Sequence, residues 1–109
     1  MSAAMDDPLA SFVGERVVID TAGPMIYIGT LSACTPAGLW LLDADVHDRT
    51  DGHSTKEEYI SRACEMERSG TRRTNRRRVF VERCHVLSAS RLADVVTDDE
   101  PADGGEDRR

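Results

Sequence analysis

Five short runs rich in apolar and β-forming residues, each bounded by turn residues, predict strands. Segment 16–20 (RVVID) is the first, and Ala22-Gly23-Pro24 closes it as a turn. The second, 25–34 (MIYIGTLSAC), is longer than average, and Gly29 in its middle marks a bend or a close backbone approach. After the turn Thr35-Pro36-Ala37-Gly38 comes a third run, 39–46 (LWLLDADV), with an acidic end. Segments 77–83 (RRVFVER) and 86–91 (VLSASR) complete the set, with Cys84-His85 as their tight junction.

Two stretches carry helical signals instead. Asp6-Asp7-Pro8 precedes Leu9, Ala10, Phe12 and Val13, and Gly14 follows, which predicts a short N-terminal helix. Beyond the polar loop 47–53, Ser54-Thr55-Lys56-Glu57 has capping-box spacing, and Glu58 offers Thr55 the same partner. Tyr59, Ile60, Ala63, Cys64 and Met66 then fall on one side at helical spacing, and Gly70 is the expected stop. Helix, three strands, inserted helix, two strands: on so short a body this order favours a small closed or partly open barrel, because closure removes exposed edges. Its own side chains fill such a barrel and leave no interior room for a substrate.

Charge divides the chain further. Segment 94–109 (DVVTDDEPADGGEDRR) holds seven acids and two bases and cannot bury enough apolar surface to offset its ordering entropy, so a disordered acidic tail is expected there. Without it, 12 bases face 13 acids, and the whole-chain net charge of -6 says little about partners. Within that body, 43–58 carries six acids and two bases, whereas 62–83 carries eight bases and three acids. Thirteen of the 14 bases are Arg, and Lys56 is the exception. The aromatic share, 5 %, suits a Val/Ile/Leu core and not an aromatic-lined pocket. No apolar run is long enough for a membrane helix, and the acidic start MSAAMDDPLA shows no signal peptide. Cys34, Cys64 and Cys84 form no C-x-x-C pair; they fit reduced core thiols, and the expected location is cytoplasmic.

Tyr27-Ile28-Gly29-Thr30-Leu31, then Leu39-Trp40-Leu41-Leu42-Asp43 after a turn, then Val79-Phe80-Val81, Glu82-Arg83 and His85-Val86-Leu87 together resemble an Sm-like (LSm, Hfq-type) domain. The first group matches that family's Gly-x-Leu centre on strand two, and the last its short strand, tight turn and final strand. The resemblance covers about residues 6–93 and is interrupted by 47–75, where the family has its variable loop. It implies a mainly β fold: a small five-stranded Sm-like (SH3-like) barrel with a short N-terminal helix and an inserted helix between strands three and four. Residues 1–93 would form this domain, with the helix insert at about 54–70. It also implies a homo-oligomeric ring built by pairing strand four with strand five of the next copy. The family's nucleotide pocket uses a turn Asp, an Asn and an Arg-Gly pair. Thr35, Leu39 and Glu82-Arg83 stand at those positions here, so the usual uridine pocket is expected to be absent.

Two clusters are candidates for chemistry. Arg72, Arg73, Arg76, Arg77 and Arg78 place five guanidiniums in seven residues, and such forks suit phosphate oxygens and stack on bases. The alternative is ion pairing with the acids of 43–58 or with the tail. Strand alternation points Asp43, Asp45 and His47 to one face, where Asp48 or His53 would complete a divalent metal site. This spacing matches no defined metal motif, and a solvated strand end whose carboxylates meet arginines is the simpler reading. Trp40 suits a core or an interface, and His85 shapes its turn. There is no nucleophile–base arrangement and no Gly-rich phosphate loop, so neither an enzyme nor a cofactor is expected. The expected function is RNA-associated binding through the Arg-rich surface. The alternative is a structural oligomer or protein-interaction scaffold with a protein partner.

Overall fold

A computed structural model describes residues 7–50 and 55–97. After a 3-10 turn at Pro8–Phe12 come β1 (Arg16–Thr21), β2 (Met25–Cys34), β3 (Gly38–Asp48), α1 (Lys56–Arg68) and β4 (Arg76–Glu82). A second 3-10 turn, Arg83–His85, leads into β5 (Val86–Arg91), and a third follows at Leu92–Asp94. The strands form one antiparallel sheet in the order β4-β3-β2-β1-β5, leaving β4 and β5 as its edges.

The sheet bends where β2 and β3 fall out of step. Ile28 faces Asp45 and Thr30 faces Leu42, so Asp43 and Ala44 stand opposite Gly29 alone. This β-bulge strengthens the local twist and turns the sheet toward closure. Asp43 takes the left-handed conformation, with φ of 49°, a region that Asp tolerates better than most residues. The guanidinium of Arg16 donates to its carbonyl at 2.8 Å. Gly29 makes the close approach possible: a Cβ there would lie 3.0 Å from the Cβ of Ala44 and 3.1 Å from that of Leu41.

Two apolar clusters lie on opposite faces of the bent sheet. Inside are Val17, Ile19, Leu31, Leu39, Leu41, Ala44 and Val81. Outside, Val18, Ile26 and Ile28 are covered by Tyr59 and Cys64 of α1 and by Leu92. Val17, Val18 and Ile19 are therefore all buried in succession, which explains why 16–20 reads as a continuous apolar run. The helix is seated by its capping box, with Thr55 accepting from the Glu58 amide and Glu58 accepting from the Thr55 amide. Lys56 anchors the same end on Asp20 and on the Thr21 and Gly23 carbonyls.

Several expectations are corrected. The N-terminal helix is one 3-10 turn capped by Asp7, and Gly14, with φ of +91°, reverses the chain after it. β3 extends to Asp48, and β4 spans Arg76–Glu82, because Arg83 is drawn into the following turn. Cys84 is exposed, not a core residue, because that turn carries it away from the sheet. Apolar packing continues past residue 93: Asp94 ends a 3-10 turn and Val95 packs on the outer cluster. The rest of the expected tail, 98–109, and residues 51–54, with His53 and Ser54, lie outside the described residues. No helix among the described residues is long and apolar enough to cross a membrane.

Candidate nucleic-acid interface

Arg72 and Arg73 lie in the loop between α1 and β4, and Arg76, Arg77 and Arg78 open β4 itself. All five are exposed. Because β4 is an edge, the row runs along one margin of the sheet. Among the described residues Arg72 alone of the five has a carboxylate partner, Glu67 of α1 at 2.9 Å. The same Glu67 oxygen accepts from Arg16 at 3.1 Å, so the helix end ties the arginine loop to β1. Arg76 donates to the Asn75 carbonyl. The carboxylates of Asp43, Asp45 and Asp48 form no ion pair with the row among the described residues. Asp45 instead accepts from Tyr59, and Asp48 from Thr50.

Arg78 adds an aromatic component. Its guanidinium carbon lies 4.0 Å from the centre of the Trp40 ring, and Trp40 meets Phe80 with centroids 5.0 Å apart at a 54° tilt. Trp40 and Phe80 are register partners across β3 and β4, next to the Leu42–Arg78 pair. Alternation along β4 thus puts Arg76, Arg78 and Phe80 on one face, and Arg77 on the side of Val79 and Val81. Sequence pattern alone does not reveal this aromatic–arginine strip, although Trp40 and Phe80 are the kind of residues that flag one. The pairing register that joins them is non-local.

A narrow cleft opens between α1 and the outer sheet face, lined among others by Arg16, Tyr59, Arg62, Glu67, Arg72 and Arg73. The space inside it, about 20 Å³, is that of a single water. The cleft is a packing seam with a cationic rim, too small for a nucleotide.

The acidic candidates are not brought together. Asp43 is the extra residue of the bulge and is exposed, whereas Asp45 is buried against the helix. The alternation that should have aligned Asp43 with Asp45 and His47 breaks at that point. His47 stacks on the ring of Tyr59 at 4.2 Å. Among the described residues, the donor atoms of Asp43, Asp45, His47 and Asp48 form no metal-sized group.

Thr35, Leu39 and Arg83, which the resemblance sets at a nucleotide pocket, make other contacts in the structure. Leu39 is fully buried in the inner cluster. Thr35 shapes its own turn by accepting from the Ala37 and Gly38 amides. Arg83 donates to Asp7 at 2.7 Å, to the Thr35 carbonyl at 2.8 Å and to the Cys34 sulfur at 3.1 Å. Those contacts fasten the first 3-10 turn to the β4–β5 junction. The Arg83 hydrogen bond, helped by the Leu9 amide, holds the Asp7 carboxyl below its ordinary range. Burial, and then the Asp7 contact, pushes the Cys34 thiol up.

No protein-family model matches the chain, and no curated protein matches it. The structure is similar to that of an Sm protein from Pyrococcus abyssii, solved in complex with a uridine heptamer. The TM-score is 0.50 at 13 % identity, over 78 % of this chain and 97 % of that one. With five antiparallel strands in one strongly bent sheet, the chain has an Sm-like fold.

Proposed function

We propose that the chain is a non-enzymatic, RNA-associated member of the Sm-like family, and that it holds single-stranded RNA by its phosphates along Arg72, Arg73, Arg76, Arg77 and Arg78. One observation carries the reading: four of these five guanidiniums have no carboxylate partner among the described residues, and they line one sheet margin. Unneutralised Arg in a row is an electrostatic footprint for a polyanion. The flat guanidinium of Arg78 over Trp40, with Phe80 behind, offers a surface on which a base stacks. The similar Sm protein with its uridine heptamer supports RNA as the polyanion. With Leu39 and Arg83 otherwise engaged, contact is to phosphate and ring faces more than to base edges.

Anisotropy titration of a labelled mixed-sequence oligoribonucleotide tests this. Wild type binds at low salt, and the combined change of Arg72, Arg73 and Arg76 to Glu abolishes binding with an unchanged circular dichroism spectrum. A flat wild-type curve at low salt ends the reading.

A second reading, a homo-oligomeric or protein-binding scaffold, is favoured by the free edges. Among the described residues both β4 and β5 lack a neighbour on one side, and Leu87 of β5 is 67 % exposed. Light scattering distinguishes a ring from a monomer of about 12 kDa.

A further inference from the structure

We propose that Glu82, Cys84 and His85 form a surface site for a divalent transition-metal cation of the zinc class. The three residues occupy the β4–β5 junction, where β4 ends and the 3-10 turn Arg83–His85 begins. Glu82 Oε1 lies 3.4 Å from His85 Nε2 and 3.9 Å from Cys84 Sγ. All three donor atoms lie within 4.8 Å of one another. Zinc bonds of about 2.0–2.3 Å in a tetrahedron put neighbouring ligand atoms roughly 3.3–3.7 Å apart. The donors therefore stand close to the separation an ion requires, and small side-chain rotations complete the approach.

The turn beneath them is held on both sides. The Arg83 amide donates to the Ala37 carbonyl at 3.0 Å, and the Ala22 amide donates to the His85 carbonyl at 3.2 Å. The Arg83 side chain is fastened to Asp7, Thr35 and Cys34, away from the three donors. A backbone fixed in this way lowers the entropy lost when the ligands close on an ion.

The donor set selects the ion. A thiolate, an imidazole and a carboxylate suit zinc and its neighbours, and a thiolate is a poor ligand for magnesium or calcium. Carboxylate and thiolate together neutralise the charge of a divalent ion, with the thiol proton released on binding. Three protein donors leave one tetrahedral position for water or an outside ligand. Nothing in the RNA reading depends on this site, which uses none of the five arginines.

The test uses the full chain, freed of metal and kept reduced with a phosphine. Cobalt(II) is the spectroscopic probe. The expected result is one cobalt per chain with a thiolate-to-cobalt charge-transfer band, displaced by zinc and insensitive to excess magnesium. Cys84→Ser removes the band, and His85→Ala or Glu82→Ala weakens binding by at least roughly tenfold. All three residues are exposed, so circular dichroism stays unchanged. Absence of the band in wild type, its survival in Cys84→Ser, or unchanged affinity in His85→Ala overturns the proposal.

Discussion

The phenol of Tyr59 on α1 donates to the carboxylate of Asp45 on β3, and both residues are buried where the helix meets the sheet. Burial, and then the Asp45 contact, holds the phenol far above its ordinary pKa, so it remains a donor. The Tyr59 ring also lies parallel to His47 at 9°. Tyr59→Phe keeps the stacking and strips a buried carboxylate of its donor. The expected loss in urea unfolding is about 1–3 kcal/mol, the cost of a buried polar group left without its partner. A double-mutant cycle with Asp45→Asn should show coupling above about 0.5 kcal/mol; purely additive effects would deny the contact.

Gly29 should tolerate no larger residue. Gly29→Ala places a methyl group against Ala44 and Leu41 at 3.0 and 3.1 Å, tighter than ordinary contact. A destabilisation of about 1–3 kcal/mol is expected from this overpacking, and Gly29→Val should cost more. Thermal unfolding provides the check, and an unchanged melting temperature in both variants would show that the bulge does not need the gap.

The contact between Asp7 and Arg83 makes stability depend on acid pH. The Asp7 carboxyl is held below its unfolded value, so its contribution is complete above the ordinary carboxylate range. It disappears as the pH falls through the depressed folded value. Asp7→Asn should therefore melt below wild type at neutrality, and the gap should narrow toward about pH 2. A gap that stays constant over this range would exclude the carboxylate as its source.

RNA affinity should fall steeply with salt. If three or four of the arginines each engage one phosphate, log K against log salt has a slope of roughly -2 to -3 for a single strand. Trp40→Ala, which removes the platform under Arg78, should weaken binding without changing that slope. Stacking is worth about 1–3 kcal/mol per base. A shallow slope, or full affinity in Trp40→Ala, would argue for another surface.

Residues 98–109 carry six acids and two bases, and a segment of that charge is expected to compete with phosphate for the arginines. Truncation after Thr97 retains Val95, which packs on the outer cluster. It should leave the melting temperature unchanged and raise RNA affinity at low salt. Equal affinity with and without the segment would show that the tail does not compete.

The strands of 16–20 and 25–34, and a helix beginning after Thr55, were legible because β-propensity, capping and turn chemistry act between residues a few positions apart. The Sm-like resemblance, carried by Gly29 and Leu31, also set Leu39 and Glu82-Arg83 at the positions of that family's nucleotide pocket, and from their identities alone the usual pocket is expected to be absent. The tertiary structure decided what depends on pairing between distant segments. Ile28 against Asp45 and Thr30 against Leu42 leave Asp43 as the bulged residue, and that register breaks the alternation on which an acidic site at Asp43, Asp45 and His47 relied. The same is true of Arg78 meeting Trp40, 38 positions away in sequence. Arg83 reaching Asp7 across 76 positions pulls the strand end into a turn and leaves Cys84 at the surface beside Glu82 and His85. Local propensity sets which segments extend or coil. Sheet register, fixed only when the two apolar clusters close together, sets which side chains meet.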